Sequence, residues 1–171
     1  MIINRSFSSS LLNKERFGSL KSLVLLVVIA ILATSNTYAQ ASFETIDGLR
    51  YLIDSDANTA TLTFNPNGEK YTGDIVVPEK VKASNGVEYT VTSLGEKCFY
   101  RCSGLTSITI PSSVTTLGES CFESSGLTSI TIPSSVTSLG KSCLKNCSGL
   151  TSITIPSSVT SLGESCFCGC I

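Results

Sequence analysis

Residues 104–115 read GLTSITIPSSVT, and the same twelve letters recur unchanged at residues 126–137 and 149–160. The first residues of these copies, 104, 126 and 149, are 22 and 23 residues apart. A nearly fixed period of this length is typical of proteins built from stacked structural repeats. The repetition therefore predicts a solenoid, in which each repeat forms one rung and packs against its neighbours.

Each copy begins with a short strand. Leu105, Ile108 and Ile110 are apolar, and around the isoleucines apolar and hydroxyl-bearing residues alternate, as in a strand with one buried face. Pro111 cannot donate a ladder hydrogen bond, so we expect the strand to end there. Gly118 is expected to adopt a backbone conformation that other residues avoid, where the chain turns back.

The second half of each unit returns the chain to the next strand. In the first complete unit we expect Val114 and Leu117 to turn the chain, and Cys121 and Phe122 to fill the interior from the far side. One unit is too small to fold alone, so stacking must bury its flanks.

A weaker copy lies upstream, where residues 75–78 read IVVP and residues 91–95 read VTSLG. Twelve residues separate Pro78 from Val91, whereas the later units hold two at this point. The additional residues include Asn85-Gly86, a strong signal for a tight hairpin. We therefore predict an inserted β-hairpin in the first unit.

The pattern L-x-x-I-x-I-P-x-x-V-x-x-L-G-x-x-C-F-x-x-C resembles the leucine-rich repeat of the BspA type, found in surface proteins of oral and gut bacteria and of some protozoan parasites. The resemblance covers about residues 74–171. The family usually has alanine where this chain has cysteine before the aromatic residue, and Leu144 replaces the usual aromatic. The cysteines concerned are Cys98, Cys121, Cys143 and Cys166. The resemblance implies an adhesive role, in which a secreted or surface protein binds host proteins or other cells.

Three segments follow from these patterns. Residues 1–39 are predicted to be a signal peptide, because a basic start precedes an apolar run at 23–33 that is shorter than the ~20 residues of a membrane span. An uncleaved membrane anchor is the alternative. Residues 40–73 are predicted to be an N-terminal β cap, and residues 74–171 the repeats, with a truncated last unit. The predicted fold is mainly β, a leucine-rich-repeat solenoid of 22–23-residue units with that cap.

Charge argues against a nucleic-acid partner. Of twelve basic and thirteen acidic residues, four basic and one acidic lie in the predicted signal peptide, which leaves eight basic and twelve acidic residues. No basic stripe is available to neutralise phosphates. We also expect no insertion into a membrane after the signal peptide is cleaved.

The outward face of the repeat strands is the candidate ligand-binding site. With the isoleucines inward, one serine and one threonine of each strand point to solvent, and stacking should align them on a broad sheet. Threonine and serine are also ordinary solvent-facing strand residues, so this pattern alone does not establish binding. The candidate residues are Ser107, Thr109, Ser129, Thr131, Ser152 and Thr154.

Catalysis finds little support, and we predict that the protein is not an enzyme and needs no cofactor. The chain has no histidine to serve as the base of a serine nucleophile. Glu119, Glu123 and Glu164 fall at turn-like repeat positions, where a solvated surface explains them. Asp54 and Asp56 are too few for a calcium site.

The eight cysteines recur at fixed repeat positions, and their spacing does not match a zinc site. Cysteines on adjacent rungs are close enough for disulfides, but for the set before the aromatic residue we favour the alternative, a buried ladder of free thiols, because inward packing seldom gives the dihedral that a disulfide needs. Cys166, Cys168 and Cys170 are the ones we expect to pair or react.

These observations lead to a secreted or cell-surface binding module with protein or cell-surface partners. One alternative is a structural spacer or coat protein that assembles end to end, because the last predicted rung would leave an uncapped apolar edge. Another is recognition of an ordered, repeating ligand such as ice or a glycan.

Overall fold

The computed structural model describes residues 41–170, so the predicted signal peptide and the first residue of the predicted cap lie outside the described residues. Residues 41–170 contain strands and turns but no helix, and hence no helix long and apolar enough to cross a membrane. The strands in this range are β1 (Ser42–Ile46), β2 (Leu49–Asp54), β3 (Thr59–Thr63), β4 (Gly73–Val76), β5 (Lys80–Lys82), β6 (Glu88–Leu94), β7 (Leu105–Thr109), β8 (Thr116–Leu117), β9 (Ser129–Thr131), β10 (Ser138–Leu139), β11 (Ser152–Thr154) and β12 (Ser161–Leu162).

The largest sheet of the described chain joins the N-terminal strands to the repeats. Its order is β1-β2-β3-β6-β8-β10-β12, and β5 pairs with β6 beside this path. From β6 onward the strands are parallel, and Leu94, Leu117, Leu139 and Leu162 align in register. We expected Leu117 only to turn the chain, whereas it lies in β8. A strand of two residues is too short to show alternation in the sequence. β8 forms because it pairs with β6 and β10 on the neighbouring rungs.

The strands with the Ser-Ile-Thr sequence lie in smaller parallel sheets. Within the described residues β4 pairs with β7, and β9 pairs with β11. Ile130 aligns with Ile153, and Ile75 with Ile108. Ile108 and Ile130 are buried, while Ile153 is half-buried. The inward direction predicted for these isoleucines is therefore confirmed.

Aromatic rings and thiols fill the interior, and the predicted inward position of Cys121 and Phe122 is confirmed. The rings of Phe99 and Phe122 stack with centroids 5.3 Å apart and an interplanar angle of 2°. Tyr71 packs against Phe99 at 5.4 Å in a tilted arrangement. Leu144 is fully buried at the next equivalent position, so an aliphatic side chain continues the same column.

Gly118 does not adopt the positive φ that we expected. A Cβ at this position would lie 2.6 Å from the carbonyl carbon of Gly95 and 2.7 Å from the amide nitrogen of Glu96. The glycine is needed because the backbone of the preceding rung approaches closely. The left-handed residues of this unit are instead Ser120 (φ 50°) and Ser124 (φ 57°).

Backbone hydrogen bonds also connect the turns of adjacent rungs. The N–H of Phe122 donates to the carbonyl of Cys143 at 2.8 Å, and the N–H of Leu144 donates to the carbonyl of Cys166 at 2.9 Å. The turn side of the solenoid is therefore bonded from rung to rung, as the strand side is. This regular bonding keeps equivalent residues of successive rungs in line.

The N-terminal strands β1, β2 and β3 form an antiparallel meander. Asp47 and Gly48 both adopt positive φ in the turn between β1 and β2, as tight hairpin turns require. β3 pairs in parallel with β6, which belongs to the first repeat unit. The role of β1, β2 and β3 as an N-terminal cap stays a prediction.

β5 lies in the insertion of the first unit and forms an antiparallel hairpin with the first three residues of β6. Its turn is closed by a hydrogen bond from the N–H of Gly86 to the carbonyl of Ala83 at 2.9 Å, and Gly86 has a φ of 82°. The side-chain amide of Asn85 donates to the hydroxyl of Tyr89 at 2.8 Å. The insertion thus joins the largest sheet at its side.

Candidate binding surface

The candidate residues all lie exposed on three repeat strands, where a buried or half-buried isoleucine separates each serine from its threonine. We call this set the hydroxyl surface; its members are Ser107, Thr109, Ser129, Thr131, Ser152 and Thr154. Alternation along a strand sends neighbouring side chains to opposite faces. The side chains that fill the core thereby fix the direction of the hydroxyls.

The hydroxyls form short rows across paired strands. Ser129 aligns with Ser152, and Thr131 aligns with Thr154. Equivalent atoms on neighbouring strands lie ~4.8 Å apart, so each pair presents two hydroxyls at close and regular spacing.

Two residues of β4 extend the rows, although we did not include them among the candidates. Asp74 aligns with Ser107, and Val76 aligns with Thr109. Val76 is 69% exposed. The sequence already indicated that β4 continues the rows. Aligning IVVP at residues 75–78 with ITIP at residues 108–111 places Val76 at the position of Thr109.

The carboxylate of Asp74 accepts hydrogen bonds from two hydroxyls of β7. The hydroxyls of Thr106 and Ser107 donate to Oδ1 of Asp74 at 2.7 and 2.8 Å. These hydrogen bonds stabilise the carboxylate, so they hold the pKa of Asp74 below its usual value. Ser107 is therefore already bonded within the chain, and a ligand would have to share or replace that bond.

The hydroxyl surface is not one broad sheet, contrary to our expectation. β7 and β9 lie side by side, but within residues 41–170 they are not paired as strands. The interruption coincides with the shorter second unit, which has one residue fewer between Phe122 and Gly126 than the first has between Phe99 and Gly104. Because the connection before β9 is one residue shorter, β9 does not pair with β7 in the way that β7 pairs with β4.

A cleft of about 410 Å³ adjoins the β4 end of the hydroxyl surface. The turn at Asp47 and Gly48 forms one side, and β4, including Asp74 and Val76, contributes to the lining. Glu69 is a further acidic residue of the cleft. This end of the surface is therefore acidic, while the remaining rows are uncharged.

Two of the acidic side chains that we considered for chemistry, Asp54 and Glu123, have structural partners. Oδ1 of Asp54 accepts the N–H groups of Asp56 and Ala57 at 3.0 and 2.9 Å, which closes a turn. Glu123 accepts the hydroxyl of Ser120 at 2.7 Å and lies 3.7 Å from the ammonium of Lys145. Among residues 41–170 no group of three potential ligands is arranged to hold a metal ion.

All eight cysteines lie in the described range and are free thiols in the structure. Six are buried, Cys170 is half-buried and Cys168 is exposed. Burial raises the pKa of Cys98 and Cys121, because a thiolate is poorly solvated in an apolar interior. These side chains therefore contribute to the core as small apolar groups.

The repeat region matches a known family. The BspA type leucine rich repeat region, with six copies, matches residues 81–171, which is more than half of the chain. The chain belongs to the BspA-type leucine-rich-repeat family. The predicted resemblance is thus confirmed, and so is the mainly β leucine-rich-repeat fold. No curated protein matches the chain.

Solved structures of bacterial leucine-rich-repeat proteins share this fold. A leucine-rich repeat protein from Bacteroides capillosus is 28% identical, with a TM-score of 0.59, and the match covers 71% of this chain and 87% of that one. The leucine-rich repeat protein of T. pallidum is 19% identical, with a TM-score of 0.54, and the match covers 71% of this chain and 64% of that one. The pneumococcal vaccine antigen PcpA is 15% identical, with a TM-score of 0.53, and the match covers 75% of this BspA-type chain and 48% of PcpA.

Proposed function

We propose that this BspA-type protein acts outside the cell, in secreted or surface-bound form, as a non-catalytic binding module whose hydroxyl surface contacts protein or cell-surface partners. The observation that carries the proposal is the placement of exposed Ser and Thr pairs on three successive rungs, two of which, β9 and β11, are paired in register. Repetition of the same groups at fixed spacing allows many weak contacts to act together.

The chemistry of the surface supports a polar partner. Serine and threonine hydroxyls both donate and accept hydrogen bonds, so they fit the amide, carbonyl and hydroxyl groups of proteins and glycans. The rows lack the Trp, Tyr and Arg that usually dominate binding energy, which favours broad contact of modest affinity. The break between β7 and β9 argues against an ordered lattice such as ice, because that ligand requires uninterrupted spacing.

The test is replacement of Thr109, Thr131 and Thr154 together by lysine. All three side chains are exposed, so the fold should tolerate the change, while three bulky cations should weaken binding at least tenfold. Binding is measured against immobilised extracellular-matrix proteins of the host and against neighbouring microbial cells. Circular dichroism checks that the strand content is unchanged.

A matched control uses equivalent threonines outside the hydroxyl surface. Thr115, Thr137 and Thr160 are also exposed and also recur once in each unit. Their replacement by lysine changes the net charge by the same amount, so binding should stay within about twofold of the unmodified protein. Equal binding by both triple variants would exclude the hydroxyl surface as the contact site.

A second candidate function is end-to-end assembly as a spacer or coat. It is supported by the exposure of Ile155 (40%) and Leu162 (52%) on the same rung, because exposed aliphatic side chains favour association. Light scattering should then show concentration-dependent assembly that Leu162→Glu abolishes. A protein that stays monomeric over a hundredfold concentration range excludes this function without affecting the binding proposal.

A further inference from the structure

Cys143 and Cys166 lie at the same repeat position on adjacent rungs. The hydrogen bond from the N–H of Leu144 to the carbonyl of Cys166, at 2.9 Å, fixes the two backbones side by side. Strands bonded in this way are ~4.8 Å apart, within the range of Cα separations, about 4.4–6.8 Å, that a disulfide accepts. Both side chains are buried, Cys143 completely and Cys166 with 4% exposed.

This pair differs from the other pairs of the same column because it includes Cys166, which at 4% is the most exposed of the four thiols. The thiols of the second column are directed to backbone carbonyls. Cys147 donates to the carbonyl of Phe122 at 3.0 Å, and Cys170 donates to the carbonyl of Leu144 at 3.0 Å.

The two thiols of this pair are not equivalent. The neighbouring Cys143 thiol lowers the pKa of Cys166, whereas Cys166 and burial raise the pKa of Cys143. The thiolate is the nucleophile in thiol–disulfide exchange. Cys166, whose pKa is lowered and which is the more exposed of the two, is therefore the attacking sulfur, and Cys143 is the resolving one.

We propose that Cys143 and Cys166 form a disulfide between adjacent rungs when the protein meets a low-molecular-weight disulfide, RSSR. The thiolate of Cys166 attacks one sulfur of RSSR, forming a mixed disulfide and releasing RS⁻. Cys143 then loses its proton and attacks the sulfur of Cys166, which releases the second RS⁻. Two protein thiols are oxidised to one disulfide, RSSR is reduced, and the two protons leave on two RSH molecules.

The cross-link would act on the rung that carries the exposed Ile155 and Leu162. It closes a loop over residues 144–165 and so restricts the unfolded chain. The oxidised protein should therefore unfold at a higher denaturant concentration than the reduced protein. This inference is independent of the proposed binding partner, since it requires only an oxidant.

The test is peptide mapping of the whole protein after incubation with oxidised glutathione. Remaining thiols are alkylated under denaturing conditions, and the chain is cut after lysine and glutamate. Cleavage at Lys141, Lys145 and Glu164 gives peptides 142–145 and 165–171, and Cys143 is the single cysteine of the first. We expect these two peptides to be linked in most molecules and to separate on reduction. Alkylation of Cys143 in most molecules overturns the proposal.

Variants assign the partner within peptide 165–171. In Cys168→Ser/Cys170→Ser the link to peptide 142–145 should persist, because Cys166 remains. In Cys143→Ser, Cys166 should stop at the mixed disulfide with glutathione. Cys121→Ser is the matched control, since it removes a buried thiol of the same column and should leave the link intact. Loss of the link in Cys168→Ser/Cys170→Ser would contradict the assignment, and mapping of the unmodified chain guards against a variant that misfolds.

Discussion

Gly118, Gly140 and Gly163 set how closely the rungs can stack. The N–H of each donates to the leucine carbonyl of the preceding rung at 2.8 Å. A Cβ on any of them would lie against the backbone of that rung, which has no flexible end that can move aside. In the units of Gly118 and Gly140, the leucine–glycine pair therefore combines a buried leucine side chain with a glycine that has no side chain.

Replacement of Gly140 by alanine should destabilise the protein by about 1–3 kcal/mol, the usual cost of overpacking. The added Cβ would lie 2.5 Å from the carbonyl carbon of Gly118 and 2.6 Å from the amide nitrogen of Glu119, so the rungs must separate. Urea unfolding followed by circular dichroism measures the loss.

Gly149→Ala is the control for this change. Its nearest neighbour would be the carbonyl oxygen of Leu127 at 3.3 Å, a contact that a small shift relieves. The loss should be below about 1 kcal/mol, because alanine also reduces the freedom of the unfolded chain. Equal losses in the two variants would show that backbone approach does not explain the glycine column.

Direct inspection of residue types predicted the inward and outward positions but not the reason for these glycines. The alternation around Ile108 and Ile130 follows from burial, which is a property of the strand itself. The requirement at Gly118 arises from the backbone of another rung, 23 residues earlier. Such a contact depends on how the rungs stack, which the sequence does not show directly. The recurrence of glycine in each unit is the one feature of the sequence that indicates a close backbone approach.

Equivalent strands of different rungs are buried to different degrees. Leu139 in β10 and Leu162 in β12 align in register and occupy the same repeat position, yet Leu139 is 2% exposed and Leu162 is 52% exposed. β10 pairs with strands on both sides, β8 and β12. Local sequence is almost the same in the two strands, so the neighbours decide their contribution to stability.

Leu139→Ala should therefore cost about 2–5 kcal/mol in the free energy of unfolding, as expected for a leucine removed from a packed core. Leu162→Ala should cost less than about 1 kcal/mol, because its side chain is half in water already. Urea titration of both variants gives the comparison. Similar losses would mean that Leu162 is buried in solution, for example by association of two molecules.

The same dependence on neighbours limited the prediction of strands. β7 was predicted because apolar and hydroxyl-bearing residues alternate around Ile108, whereas β8, β10 and β12 have two residues each and show no pattern. The separation of β7 from β9 was not foreseen either, although the missing residue before Gly126 was visible in the sequence. The sequence shows that the connection before Gly126 is one residue shorter, but only the structure shows that β7 and β9 are then not paired.

The chain from β1 to β12 is connected by the parallel pairing of β3 with β6, and Tyr71 reinforces this connection. The Tyr71 hydroxyl donates to the carbonyl of Thr63 at 2.9 Å and accepts the N–H of Arg50 at 3.1 Å. Its ring packs on Phe99 of the first unit. One side chain thus joins β2, β3 and the aromatic column of the repeats.

Tyr71 should make the stability of the protein sensitive to alkaline pH. Burial raises the pKa of Tyr71 from about 10 to about 12, so the folded state favours the protonated phenol. The resulting stabilisation is complete below pH ~10 and is lost as the pH rises toward and through 12. The loss is at most about 2–3 kcal/mol, and urea unfolding between pH 8 and 12 measures it.

Tyr71→Phe separates this effect from other groups that titrate in the same range. At pH 8 the variant should be about 1 kcal/mol less stable, because two hydrogen bonds are lost. Its stability should then fall less steeply above pH 10, so that the difference of about 1 kcal/mol between the two proteins disappears before pH 12. Tyr100→Phe is the control, since it removes the hydroxyl of a partly exposed tyrosine and leaves the Tyr71 hydrogen bonds to β2 and β3 in place. Parallel pH profiles for Tyr71→Phe and the unmodified protein would mean that the N-terminal strands are held to the repeats without the Tyr71 phenol.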